Sequence, residues 1–235
     1  HVSTADYLKF ANGEKFFVDP SNPGTTLSMD PPAAFGFTSL SPAGIALQGS
    51  LLQVPTGKVL SVVGGDLTMT GGALTAPSGQ VNLASVKGQP GEVLLANSQA
   101  PFGTGEIQLT QGASIDVSGD PSGTVVIRGG QFLVDNSYMT ANTQGDTNGN
   151  PVAVDVQVTG DVTLSNGAQI SSRTSGAGRG GDINLTATDT VSIAGGPPDP
   201  IFGFLNPSII ETLTFGDGNA GAVSVSARTV TLSAG

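Results

Sequence analysis

From about residue 44 onward the chain is written in short pieces, apolar at alternate positions and closed by Gly, Asn or Asp. The stretches GKVLSVVGGDLTMTGGALTA (57–76), GEIQLTQGASIDVSG (105–119), VDVQVTGDVTLSNGAQISS (154–172) and GAVSVSARTVTLSAG (221–235) show the pattern. Alternation with period two sends one set of side chains into a core and the other into solvent, as in a β-strand. No stripe with a 3.6-residue period competes with it, so helix is a minor component.

The pieces also repeat. Residues 125–145 and 156–176 align without a gap at an offset of 31, pairing Val125 with Val156, Gly129 with Gly160, Leu133 with Leu164, Met139 with Ile170, Thr143 with Thr174 and Gly145 with Gly176. The same kind of opening stands at Ile107, Val125, Val156, Ile183 and Val223, at unequal spacings. Unequal spacing of a common unit points to a solenoid of three-strand coils, with loops of variable length inserted at the corners. Tight Asn-Gly or Asp-Gly hairpins between apolar runs are nearly absent, Asn166-Gly167 being an exception. Stacked coils satisfy the backbone without them, each strand pairing with its equivalent above and below at about 4.8 Å. The expected fold class is all-β, a parallel β-helix; at roughly 20 to 25 residues per coil the chain makes about nine to eleven coils, a rod of about 45 to 50 Å.

Composition narrows the function. The 235 residues carry 35 Gly and 15 Pro, only 11% charged and 5% aromatic side chains. A net charge of −10, with eight scattered Lys and Arg, offers no phosphate-neutralising patch, so nucleic acid and anionic membrane surfaces are poor partners. Absence of Cys excludes disulfide frameworks and thiolate chemistry. No apolar run reaches the roughly 18 to 20 residues of a membrane-spanning helix.

Pattern breaks suggest the organisation: an irregular opening segment with the first coil at 1–43, coils at 44–196, an apolar insertion at 197–220 and a last coil at 221–235. The insertion holds Phe202, Phe204, Leu205, Ile209 and Ile210, which either pack on the outside of the coil or form a partner-binding patch. Ser208 before Ile209, Ile210 and Glu211 reads as the cap of one short helical turn.

Chemical sites are sparse. The lone His is residue 1, which argues against nucleophile–base hydrolysis. Asp116, Asp155, Asp161 and Asp182, with Arg128 or Arg173 nearby, are candidates for carboxylate chemistry on a polysaccharide, if coils line them up at roughly 5 to 10 Å. A strand-end Asp is more commonly a turn former. The Gly-rich loops GDTNGNP (145–151) and FGDGNAG (215–221) place Asp146, Asn148, Asp217 and Asn219 as hard oxygen ligands that would suit calcium. The run RTSGAGRGGD (173–182) is followed by a strand-like segment, unlike a dinucleotide fingerprint, and reads as a corner loop.

Taken as a set, VSTADYLKFANGEKF (2–16), PPAAFGF (31–37), the run from Ala46 to Val86 and PGEVLL (90–95) resemble the filamentous haemagglutinin, or two-partner secretion, exoproteins. The resemblance is close over about 2–95, while 96–235 match only as generic coils. It implies a right-handed parallel β-helix, export by an outer-membrane partner transporter, and a secreted or bacterial cell-surface location. In that family an NPNGI-type motif lies upstream of the STAD segment. This sequence starts after that point, which reads it as a processed product or a portion of a longer protein.

The resulting expectation is a non-catalytic extracellular adhesin or structural fibre module with no required cofactor. Its partners would be the transporter and glycans or proteins on host or neighbouring cells. The alternatives are a filament subunit stacking head to tail through its last coil, and a polysaccharide-active β-helix enzyme.

Overall fold

A computed structural model describes residues 1–95, 103–198 and 205–233. Twenty-four strands and no helix occur among the described residues. Twenty of the strands build three parallel faces, and four form a lateral antiparallel sheet.

The first face stacks β1 (Val2–Ser3), β7 (Val59–Gly64), β10 (Gln80–Ser85), β14 (Thr124–Gly129), β17 (Val152–Val158), β20 (Asp182–Ala187) and β23 (Val223–Ser226). The second stacks β5 (Ile45–Gln48), β8 (Leu67–Thr70), β12 (Glu106–Thr110), β15 (Gln131–Asp135), β18 (Val162–Ser165), β21 (Thr190–Ala194) and β24 (Thr229–Ser233). The third stacks β6 (Leu51–Gln53), β9 (Ala73–Thr75), β13 (Ser114–Asp116), β16 (Tyr138–Thr140), β19 (Gln169–Thr174) and β22 (Ile209–Thr214). One strand from each face makes a rung, so the chain winds as a parallel β-helix.

Alternation works as expected. Interior columns run Val62, Leu83, Ile127, Val156, Leu185 on the first face, Met69, Leu109, Val134, Leu164, Ile193 on the second, and Leu74, Ile115, Met139, Ile170, Ile210 on the third. These columns form one continuous core cluster. Each rung covers the apolar side chains of the one below, so burial requires neighbours on both sides.

Four expectations need correction. Among the described residues there are seven rungs, the seventh with strands on the first two faces only, not nine to eleven, and six gaps of about 4.8 Å give a stack of roughly 29 Å. Successive first-face positions Val62, Leu83, Ile127, Val156, Leu185 and Val225 lie 21, 44, 29, 29 and 40 residues apart, because corner loops and the lateral sheet consume chain. The Val125 and Val156 segments do lie side by side in parallel, but Val125 pairs with Val154, and Val156 with Ile127. Ile107 sits in the second face, whereas the other four openings belong to the first. Finally, residues 209–214 run as strand β22, where a helical turn was expected at 208–211.

The lateral sheet has the order β11 (Gly91–Leu94), β4 (Pro32–Phe37), β2 (Tyr7–Phe10), β3 (Lys15–Phe17). It emerges at the corner between the first and second faces in rungs one and three. Phe37, Val93 and Phe35 from it pack with Val63, Ala84 and Val86, burying part of the outside of the first face. Within residues 1–43, strands β1 to β4 take up 15 positions, and β2 to β4 belong to this sheet.

Candidate functional site

Two regions concentrate polar side chains: the corner loops between the third and first faces, and the lateral sheet.

The corner loops stack like the rungs that carry them. Backbone bonds join Gly178 N–H to Gly145 O (3.1 Å) and Gly218 N–H to Gly176 O (3.0 Å), so loops 141–151, 175–181 and 215–222 lie in register. Side-chain oxygens strap one loop to the next. Thr147 N–H donates to Asp120 Oδ1 (3.0 Å), Ala177 N–H to Asp146 Oδ1 and Arg179 N–H to Asn148 Oδ1 (both 2.9 Å). The run 173–182 is a corner loop entering strand β20.

Of the four residues considered for calcium, Asp146 and Asn148 share one loop, while Asp217 and Asn219 lie two rungs away, about 9.6 Å along the stack. The fold does not bring the four together around one point. Asp146 Oδ1 and Asn148 Oδ1 are both occupied by main-chain N–H groups.

The carboxylates considered for polysaccharide chemistry are also dispersed. Asp116 is on the third face and accepts from Ser118 N–H and Thr140 Oγ1; Asp155 is on the first face, ion-paired with Arg128. Asp161 turns the corner between first and second faces and accepts Thr190 N–H (2.9 Å). Asp182 accepts Ala222 N–H and pairs with Arg179. Each therefore ties neighbouring strands or its own turn. Arg173 pairs with Glu211 of the next rung.

Within the apolar insertion, Phe202 and Phe204 lie outside the described residues. Leu205 is 78% exposed, whereas Ile209 and Ile210 are half-buried in β22 and Ile210 packs against the core.

The lateral sheet carries a network for which the sequence held no signal, since its members are up to 85 residues apart. Glu92 on β11 reaches across β4 to β2: Tyr7 Oη donates to Glu92 Oε1 (2.9 Å), Lys9 Nζ contacts Oε2 (2.7 Å) and Lys15 Nζ approaches Oε1 at 3.5 Å. Lys15 also stands over the Tyr7 ring, 4.1 Å from its centroid. The Lys9 ammonium, opposed by partial burial, holds the Glu92 carboxyl below its ordinary value of 4.5. Thr38 N–H (2.6 Å) likewise holds Asp6 below its ordinary range. Burial pushes Asp66 up, but Lys87 and the Glu106 N–H together outweigh it and lower the carboxyl.

The fold thus defines a parallel β-solenoid bearing a lateral antiparallel sheet on its first rungs. Residues 1–101 match the family model described as TPS secretion domain, a span that contains the whole lateral sheet, rungs one and two and strand β10 of the third. The match shows that domain over 101 of the 235 residues and is consistent with a two-partner secretion family exoprotein, which the sequence resemblance implied. Such a domain implies interaction with an outer-membrane TpsB transporter, and proteins of the family are secreted across the outer membrane. No curated protein and no solved structure matches the chain.

Proposed function

We propose that this chain is a non-catalytic adhesive module of a secreted exoprotein, displayed at the bacterial cell surface, in which the solenoid acts as a stiff scaffold and its corner loops contact glycans or proteins of other cells. The observation that carries the reading is the unbroken parallel ladder on all three faces, which presents stacked, regularly spaced loops on a rigid support. Repetition of weak contacts at rung spacing yields avidity without any single tight pocket. The carboxylates that a polysaccharide-cleaving enzyme would use are engaged in straps between rungs.

The test is to co-express the exoprotein with its transporter and measure binding of the released protein to cells and immobilised glycans. Retention that scales with the number of displayed copies supports the reading. Cleavage of a polyuronide that disappears in Asp116→Asn and Asp155→Asn would replace it with the enzymatic one.

A further inference from the structure

Near the third face, three rungs converge on an open groove of about 200 Å³ lined by Asn142, Gln144, Arg173, Ser175 and Phe215 around Thr143 and Thr174. Its geometry follows from the ladder. Thr143 bridges Thr174, which pairs with Thr214, and the Thr143 and Thr174 side chains are fully buried. Alternation then turns the flanking residues outward in two columns, Asn142, Arg173 and Leu213 on one side, Gln144, Ser175 and Phe215 on the other. Neighbours along a column are about 4.8 Å apart, and the columns are separated by about two residues of strand, 6 to 7 Å.

The groove offers hydrogen-bonding side chains with free donors. Asn142 Oδ1 is fixed by Arg173 N–H (2.9 Å), which orients its amide N–H₂, and that group has no partner among the described residues. The Gln144 side-chain amide likewise has none. Arg173 gives Nε and Nη2 to Glu211 and retains Nη1. Phe215, 72% exposed, follows Ser175 in the second column. Planar amides and a guanidinium edge match the paired hydroxyls of a sugar ring, and an exposed aromatic face accepts its apolar C–H face. The Glu211 carboxylate offsets the Arg173 charge, and the chain carries −10 overall, so an acidic sugar is disfavoured.

We propose that this groove binds one unit of a neutral hexose-containing glycan, with Phe215 stacking on the ring and Asn142, Gln144 and Arg173 bonding its hydroxyls. The proposal deepens the adhesive reading and rests on it for biological meaning.

Saturation-transfer NMR on the full chain, with methyl glycosides of glucose, galactose and mannose as probes and galacturonate oligomers as the acidic control, tests it. At least one neutral methyl hexoside should receive saturation at millimolar concentration, with galacturonate weaker. Phe215→Ala should weaken that binding about tenfold, and Gln144→Ala should weaken it by a smaller factor. Both positions are exposed, so both variants should keep the parent circular-dichroism spectrum. Absence of transfer from all three hexosides, a preference for galacturonate, or unchanged binding in Phe215→Ala overturns the site. Hexoside binding by an exoprotein that adheres to no cell would uphold the groove and remove the adhesive reading, so the two failures are distinguishable.

Discussion

Tyr7 lies flat against Gly36 of the neighbouring strand, and a Cβ built on that glycine would fall within the phenol ring. Backbone conformation is not the constraint there, because Gly36 carries no positive φ; the ring simply occupies the space. Gly36→Ala must therefore displace Tyr7 and with it the bond to Glu92. We expect a loss of about 1 to 3 kcal/mol, read from urea denaturation. The Glu92 network also fixes a pH dependence. A carboxylate whose folded pKa is lowered contributes stability that is fully present above its unfolded value and is lost as pH falls through the folded one. Glu92, Asp66 and Asp6 are all lowered. Their contribution should be constant above about pH 5.5 and decline below about pH 4.5. Glu92→Gln should be less stable than the parent at pH 7, and the gap between the two midpoints should narrow below pH 4; a gap independent of pH would disprove the assignment. At the same scale, Asp161→Ala removes the acceptor of Thr190 N–H and should cost about 1 to 2 kcal/mol in the same assay.

Between rungs four and five the spacing of paired residues grows around the coil, from 29 on the first face to 30 on the second and 31 on the third. One extra residue enters at each of two corners: Thr159–Asp161 replace the two residues 130–131, and Asn166–Ala168 replace Asn136–Ser137. Asn166 and Gly167 absorb the second insertion with φ of 53° and 80°, where Asn136 alone turns with 43°. A gap-free alignment was consequently right at Met139 with Ile170 and Thr143 with Thr174, one residue out at Leu133, and two out at Val125. The one-residue error matters most, since it exchanges inside for outside. Leu133 pairs with Thr163 and faces outward, while Val134 pairs with the fully buried Leu164. Leu164→Ala should therefore cost about 2 to 5 kcal/mol, and Leu133→Ala less than about 1 kcal/mol, although the two looked equivalent in the repeat. Equal costs in a denaturation series would refute the register.

Across the whole molecule, ion pairs repeat the logic of the ladder. Lys87 with Asp66, Arg128 with Asp155, Arg173 with Glu211 and Arg228 with Asp189 each join adjacent rungs. The exposed pairs among them, Lys87 with Asp66 and Arg228 with Asp189, add little individually. Because each rung contacts mainly its neighbours, stability is distributed in one dimension. Amides of β17 and β18, with a paired strand on each side, should exchange with solvent more slowly than those of β24, whose described pairing is with β21 alone. Hydrogen exchange followed by mass spectrometry checks this, and uniform protection would contradict it. The lateral sheet, held by Phe37 and Val93 against Val63 and Ala84, should protect with rungs two and three as one unit.

Period-two alternation and Gly-closed segments were enough to determine a wound stack of short strands, because burial on one face and backbone pairing without hairpins leave few other solutions. The residues at 2–95 were enough to suggest the secretion family. Only the folded chain decided how many rungs there are, which of two neighbouring leucines is buried, and that Glu92 closes on Tyr7 and Lys9. It also decided that Asp146 and Asn148 bind the next loop, and that Asn142, Arg173 and Phe215 from three rungs share one groove. These depend on how many residues each corner consumes, and corner length leaves no periodic trace: local alternation sets what a strand is, while contacts across 30 to 85 residues set what it touches.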